Sequence, residues 1–68
     1  MKNSIRVARA ERRMTQQQLA ENIGVSRQTI NAIESGRFVP STILALRIAR
    51  LFERPVEQMF WLDESDDE

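Results

Sequence analysis

The side chains best equipped for recognition chemistry sit in one short run. Arg27, Gln28, Asn31 and Ser35 recur at helical spacing. On a wheel of about 100° per residue they fall, with Ala32, within roughly 140° of one another. Thr29, Ile30 and Ile33 fall on the opposite side. One face is therefore small and hydrogen-bonding, with a guanidinium at its N-terminal end, and the other is β-branched. Arg can bond bidentately to O6 and N7 of guanine, and Gln or Asn to N6 and N7 of adenine. Lys or Glu would serve a merely solvated face equally well, yet none of the five positions uses them. This is binding chemistry. The chain has no Cys and no His, which removes thiolate and imidazole nucleophiles, His bases and the usual soft metal ligands. With no Gly-rich phosphate loop either, an enzyme is the weakest reading, and no cofactor or metal is expected.

Such a face needs helices to present it. The 68 residues suffice for one domain, and a chain this short must rely on efficient helix packing, a partner chain, or both. Only Gly24, Gly36, Pro40 and Pro55 punctuate a helical pattern. A first helix is expected over residues 4–13, capped by Asn3 or Ser4. Thr15 and Gln18 fit a capping box that opens a second helix, with Leu19, Ala20 and Ile23 as its apolar stripe. Gly24 ends that helix in the left-handed region. Ser26 caps a third helix over residues 27–35, which Gly36 stops. A fourth runs from Pro40-Ser41 to about Phe52, and Pro55 opens a short fifth over residues 56–60. Residues 60–62 are expected to run extended and pair with the N-terminal residues. The expectation is a compact all-α domain of five helices.

The formal net charge is zero, but its distribution is not even. Residues 1–62 hold ten basic and five acidic side chains, and residues 63–68 hold the other five acids. A basic domain of +5 points to a polyanion, and residues 63–68 read as a disordered acidic tail. That tail either aids solubility or competes with phosphate for the basic face. Helix N-termini suit phosphate, which places Gln16, Gln17 and Ser26 as positioning contacts; Ser35 at the end of the third helix and Arg37, just after Gly36, are further candidates. Arg27, Gln28 and Asn31 are the base-reading set. No apolar run is long enough for a membrane span and no signal peptide is visible, so a cytoplasmic chain is expected.

The string from Met14 through Gly24-Val25-Ser26-Arg27-Gln28-Thr29-Ile30-Asn31 to Gly36-Arg37 strongly resembles the lambda-repressor-like, Cro-type helix-turn-helix family. The resemblance continues through Pro40-Ser41 and Ala45-Leu46-Arg47-Ile48-Ala49 to Phe60. It implies a prokaryotic or phage transcriptional regulator, a single DNA-binding domain acting as a dimer. It puts Gln16 where family members clamp phosphate, and Arg27, Gln28 and Asn31 at base-reading positions. It also implies a structural salt bridge between Arg9 and Glu34, joining the first and third helices. Family members often carry Gly where Glu53 stands and an apolar residue where Arg54 stands, and Ile43 occupies a position that is usually polar.

The fourth helix carries an apolar arc of about 220°, when roughly 100° would bury it in its own domain. Phe60, Trp61 and Leu62 add three more large apolar residues. A self-complementary dimer patch is therefore expected at Leu44, Leu51, Met59, Phe60, Trp61 and Leu62. The partners expected are double-stranded DNA and a second copy of the chain, with no small-molecule effector. The favoured function is a sequence-specific regulator, a repressor, on a pseudo-palindromic operator. The alternative is an antitoxin-like protein-interaction module with autoregulatory DNA binding.

Overall fold

The computed structural model describes residues 1–67. Five helices carry most of it: α1 (Ile5–Glu11), α2 (Gln16–Ile23), α3 (Arg27–Glu34), α4 (Thr42–Leu51) and α5 (Val56–Met59). Two-residue strands, β1 (Lys2–Asn3) and β2 (Phe60–Trp61), pair antiparallel with Lys2 opposite Trp61 and Asn3 opposite Phe60. The expected extended pairing of the two ends of the chain is thus present, and the helices end within two residues of their expected limits.

Local chemistry sets the helix starts. The Thr15 hydroxyl accepts from the Gln18 amide at 3.0 Å, and the Gln18 side chain accepts from the Thr15 amide at 2.8 Å. Ser26 and Ser41 cap α3 and α4 in the same manner, accepting from the amides of Thr29 and Leu44. α1 differs. Ser4 is the residue at its cap, but the Asn3 side chain accepts from the Ile5 amide, and the Ser4 hydroxyl donates to the Gln58 carbonyl at 2.9 Å. The Asn3 amide also donates to the Ile33 carbonyl at 2.9 Å. One strand residue thereby fixes the start of α1 and the end of α3.

Four helix ends turn through the left-handed region: Arg13 (φ 52°), Gly24 (φ 84°), Gly36 (φ 79°) and Glu53 (φ 56°). Left-handed backbone lets the amide after the turn reach back to the last helical carbonyls. Arg54 donates to the Ala49 carbonyl at 3.1 Å, and Arg37 to that of Ala32 at 2.9 Å. Arg13 and Glu53 carry a Cβ into this region, at a backbone cost of about 1 kcal/mol each. Side-chain contacts hold both turns. Arg12 donates to the Leu51 carbonyl at 2.9 Å and stacks over the Phe52 ring, and Arg54 pairs with Glu11.

The core is a single cluster: Ile5 and Ala8 of α1, Leu19, Ala20 and Ile23 of α2, Ile30 and Ile33 of α3, and Ala45, Ile48 and Ala49 of α4, closed by Phe52, Met59 and Phe60. At its edge lies a charged junction. The Glu34 side chain is 1% exposed and Arg9 is 15% exposed. Arg9 donates to both carboxylate oxygens, at 2.6 and 3.0 Å, and to the Met14 carbonyl at 2.8 Å. The Gln16 amide donates to the same carboxylate at 3.3 Å. The expected Arg9–Glu34 bridge is in place, and it ties α1 and the first turn of α2 to the last turn of α3.

The segment expected as a disordered tail shows local order. Glu64–Asp67 forms one 3-10 turn. Asp63 starts it, accepting from the Ser65 amide at 2.9 Å and the Ser65 hydroxyl at 2.6 Å. The short Asp and Ser side chains compete well for nearby backbone amides, which acidic composition alone does not convey. The Ser65 hydroxyl holds the Asp63 carboxyl below its usual pKa. Asp66 lies 3.0 Å from the Met1 ammonium and raises that group's pKa. Glu68 lies outside the described residues.

Two stability effects are expected. Glu53→Gly relieves the left-handed strain and raises unfolding free energy in urea by about 0.5 kcal/mol, the relief being partly offset by a more flexible unfolded chain. A loss of stability would mean that Glu53 is not strained. Glu34→Gln keeps the shape but leaves Arg9 without its counter-charge, and should cost about 3 kcal/mol. A cost below about 0.5 kcal/mol, the size of a surface pair, would remove the junction's structural importance.

Candidate nucleic-acid interface

α2 and α3 pack against each other through Leu19, Ala20, Ile23, Ile30 and Ile33, with Val25 of the intervening turn half-buried beside them. The turn is short because Gly24 reverses the chain in the left-handed region. A Cβ built there would meet no atom within 4 Å, so backbone conformation and not space asks for glycine. This pairing turns the opposite side of α3 outward.

Arg27 and Gln28 are exposed, and neither side chain makes a hydrogen bond among the described residues. They stand at the first turn of α3, where the Ser26 hydroxyl caps the Thr29 amide and leaves the amides of Arg27 and Gln28 without helical partners. Asn31 lies one turn further on and is half-buried. Its side-chain oxygen accepts from Arg37 at 2.8 Å. Ala32 beside it is half-buried and offers only a methyl. The three residues expected to read bases thus share one face, but in different states: two are unengaged and one is held.

The positioning residues divide in the same way. Gln17 is exposed and bonds only to Glu21, at 3.3 Å. Gln16 is half-buried, with its amide nitrogen on Glu34, yet its backbone N–H stays at the open start of α2. The Ser26 hydroxyl is occupied as a cap and also meets Thr29 at 3.0 Å. The Ser35 hydroxyl donates to the Ala32 carbonyl at 3.1 Å and accepts from Arg37 at 2.9 Å. Ser26 and Ser35 therefore act first on the protein's own chain. Arg37 is exposed and folds back along α3.

The expected dimer patch needs correction. Met59 and Phe60 are buried in the protein's own core, because α5 packs under α4 and β2 pairs with β1. Leu44 and Leu51 are half-buried against the same core. Of the expected patch only Trp61 and Leu62 remain exposed. Other apolar side chains stand out instead: Ile43 is 73% exposed, and Leu46, Val39 and Phe38 are each at least half exposed. Ile43 and Leu46 line one shallow groove with the stems of Arg47 and Arg50, while Leu46 and Val39 line the next. The sequence did carry a signal here, since Ile43 is apolar at a position that is usually polar in the family it resembles. The position of the acidic segment carried no such signal. Asp63 and Ser65 line a cleft with Glu34, Ser35 and Gly36, which sets the tail beside the C-terminal end of α3.

Known proteins place the chain firmly. A helix-turn-helix family model matches residues 5–59. An uncharacterized HTH-type transcriptional regulator of Methanothermobacter thermautotrophicus is 54% identical over 65 residues, covering 94% of this chain and 94% of the relative. The uncharacterized HTH-type transcriptional regulator YgzD of Bacillus subtilis is 46% identical over 66 residues, covering 97% of this chain and 100% of the relative. A regulator of the same description from Methanocaldococcus jannaschii is 47% identical over 66 residues, covering 97% of this chain and 100% of the relative. With two helices packed across a glycine turn and a polar face turned outward, this chain belongs to the Cro-type, lambda-repressor-like helix-turn-helix family of DNA-binding transcriptional regulators.

Proposed function

We propose that this protein is an intracellular repressor that binds a pseudo-palindromic DNA operator as a homodimer, with no small-molecule effector. The observation that carries the reading is the pair Arg27 and Gln28, exposed and unengaged beside the open amides at the start of α3. Those amides and the ones at the start of α2 suit phosphate. Arg27, Gln28 and Asn31 then meet base edges, while Gln16, Gln17 and Arg37 hold the register on the backbone.

Physical economy supports two copies. One eight-residue reading helix contacts only a few base pairs, and a second copy doubles that reading. Half-sites one helical turn apart are separated by about 34–36 Å. One copy measures 34 × 22 × 21 Å, so two fit side by side along its shorter dimensions. The exposed apolar residues Ile43, Leu46, Trp61 and Leu62 are among the contacts available for the pairing. A dimer seated on successive grooves blocks access to that stretch of DNA, and repression by occlusion needs no further contact.

On an operator selected from a random library, two protected half-sites about one turn apart are expected. Gln28→Ala should cost about 1–3 kcal/mol and relax preference at one base pair per half-site. Gln16→Ala should weaken all sequences alike. A single protected half-site would remove the dimer, and an unchanged preference profile in Gln28→Ala would remove the assigned reading face.

A further inference from the structure

The geometry points to Arg37 as a positioning residue that sets what Asn31 can read, in addition to any contact it makes with phosphate. This rests on the reading of α3 as the base-reading helix. Gly36, at φ 79°, turns the chain back, and the Arg37 amide is pinned on the Ala32 carbonyl at 2.9 Å. The side chain then runs back along α3. Its Nε donates to the Ser35 hydroxyl at 2.9 Å, and its Nη2 donates to Asn31 Oδ1 at 2.8 Å. Ser35 in turn donates to the Ala32 carbonyl at 3.1 Å. The guanidinium is thus held at two points, one of them anchored to the helix backbone.

The direction of the Asn31 amide follows from donor and acceptor counting. A guanidinium donates and never accepts, so only the amide oxygen can face it. The Asn31 Nδ2 then points away from Arg37 with both hydrogens free. In that orientation Asn31 is chiefly a donor. It suits an edge that offers only acceptors, such as N7 and O6 of guanine, better than the mixed donor–acceptor edge of adenine. An unheld Asn would favour adenine through a bidentate pair. The two remaining N–H groups on Nη1 and one on Nη2 stay available to a phosphate, so the same guanidinium couples backbone contact to base choice. Lysine cannot reproduce this, because a point charge lacks the planar fork that spans Ser35 and Asn31.

Arg37→Lys is the decisive variant, since it keeps the charge. With the wild-type protein, selection from a random library should show an acceptor-only edge at the base pair that Asn31→Ala relaxes. In Arg37→Lys, preference at that base pair should fall about tenfold or move toward adenine, while the slope of affinity against salt stays unchanged. In DNA-free protein the Asn31 side-chain amide resonances should shift in Arg37→Lys, showing the contact independently of DNA. A phosphate contact alone would weaken all sequences equally and leave the profile intact, which would overturn the proposal. A wild-type preference for adenine at that position would also overturn it. If Asn31→Ala changes preference nowhere, the assignment of Asn31 as a base reader has failed. If Asn31→Ala relaxes one base pair and Arg37→Lys does not, only the positioning by Arg37 has failed.

Discussion

The structure turns on one carboxylate. Glu34 ends α3, its side chain lies almost wholly out of solvent, and it takes hydrogen bonds from Arg9 of α1 and Gln16 of α2. A lone buried carboxylate would be costly, and the bidentate Arg9 contact offsets that cost only in this geometry. Arg9 also bonds the Met14 carbonyl, so the link reaches the loop that feeds α2. Two helices, α1 and α2, are thereby fixed around the end of α3. Apolar packing is non-directional and would tolerate small rotations of α3. A charged, planar, two-point contact tolerates fewer, and it stabilises the orientation in which Arg27 and Gln28 face outward.

The rest of the molecule repeats the same logic on a smaller scale. A chain this short has little core to spare, so the ends of elements are tied by specific hydrogen bonds. Asn3 joins the first strand to the end of α3, and Arg12 joins α1 to the end of α4. Side-chain caps at α2 and α3 each satisfy one amide and leave the preceding ones facing solvent. Those open amides are the part of the helix ends that a phosphate can use. The same polar residues that cap the helices thus leave these amides open. The acidic segment beside the end of α3 adds a negative boundary to the basic domain.

Local signals were legible in the sequence where the chemistry is local. Thr15 with Gln18, Ser26 before Arg27, and Gly24 and Gly36 after their helices each specify a cap or a turn within a few residues. The wheel of α3 was legible for the same reason, since Ile30 and Ile33 must go inward and Arg27 and Gln28 outward. The lateral fate of apolar residues was not. Met59 and Phe60 look the same to the sequence whether they fill the chain's own core or a partner's surface, and the β1–β2 pairing decides it. The Arg37–Asn31 contact was equally invisible, because it needs the left-handed turn at Gly36 to bring a loop side chain back along the helix. In the acidic segment, composition suggested a solvated tail, while the Asp63–Ser65 hydrogen bonds form a turn.

In the proposed complex the outward face of α3 meets base edges while the starts of α2 and α3 meet phosphate. Titrating isotope-labelled protein with its selected operator and following backbone and side-chain amide shifts tests this residue by residue. The largest changes are expected at Gln16 and Gln17, at Arg27 and Gln28, and at the Asn31 side chain and Arg37, with the core residues Ile48 and Met59 little affected. Changes centred on Ile43, Leu46 and Arg50 of α4, with α3 silent, would place the DNA on another face and rule this arrangement out.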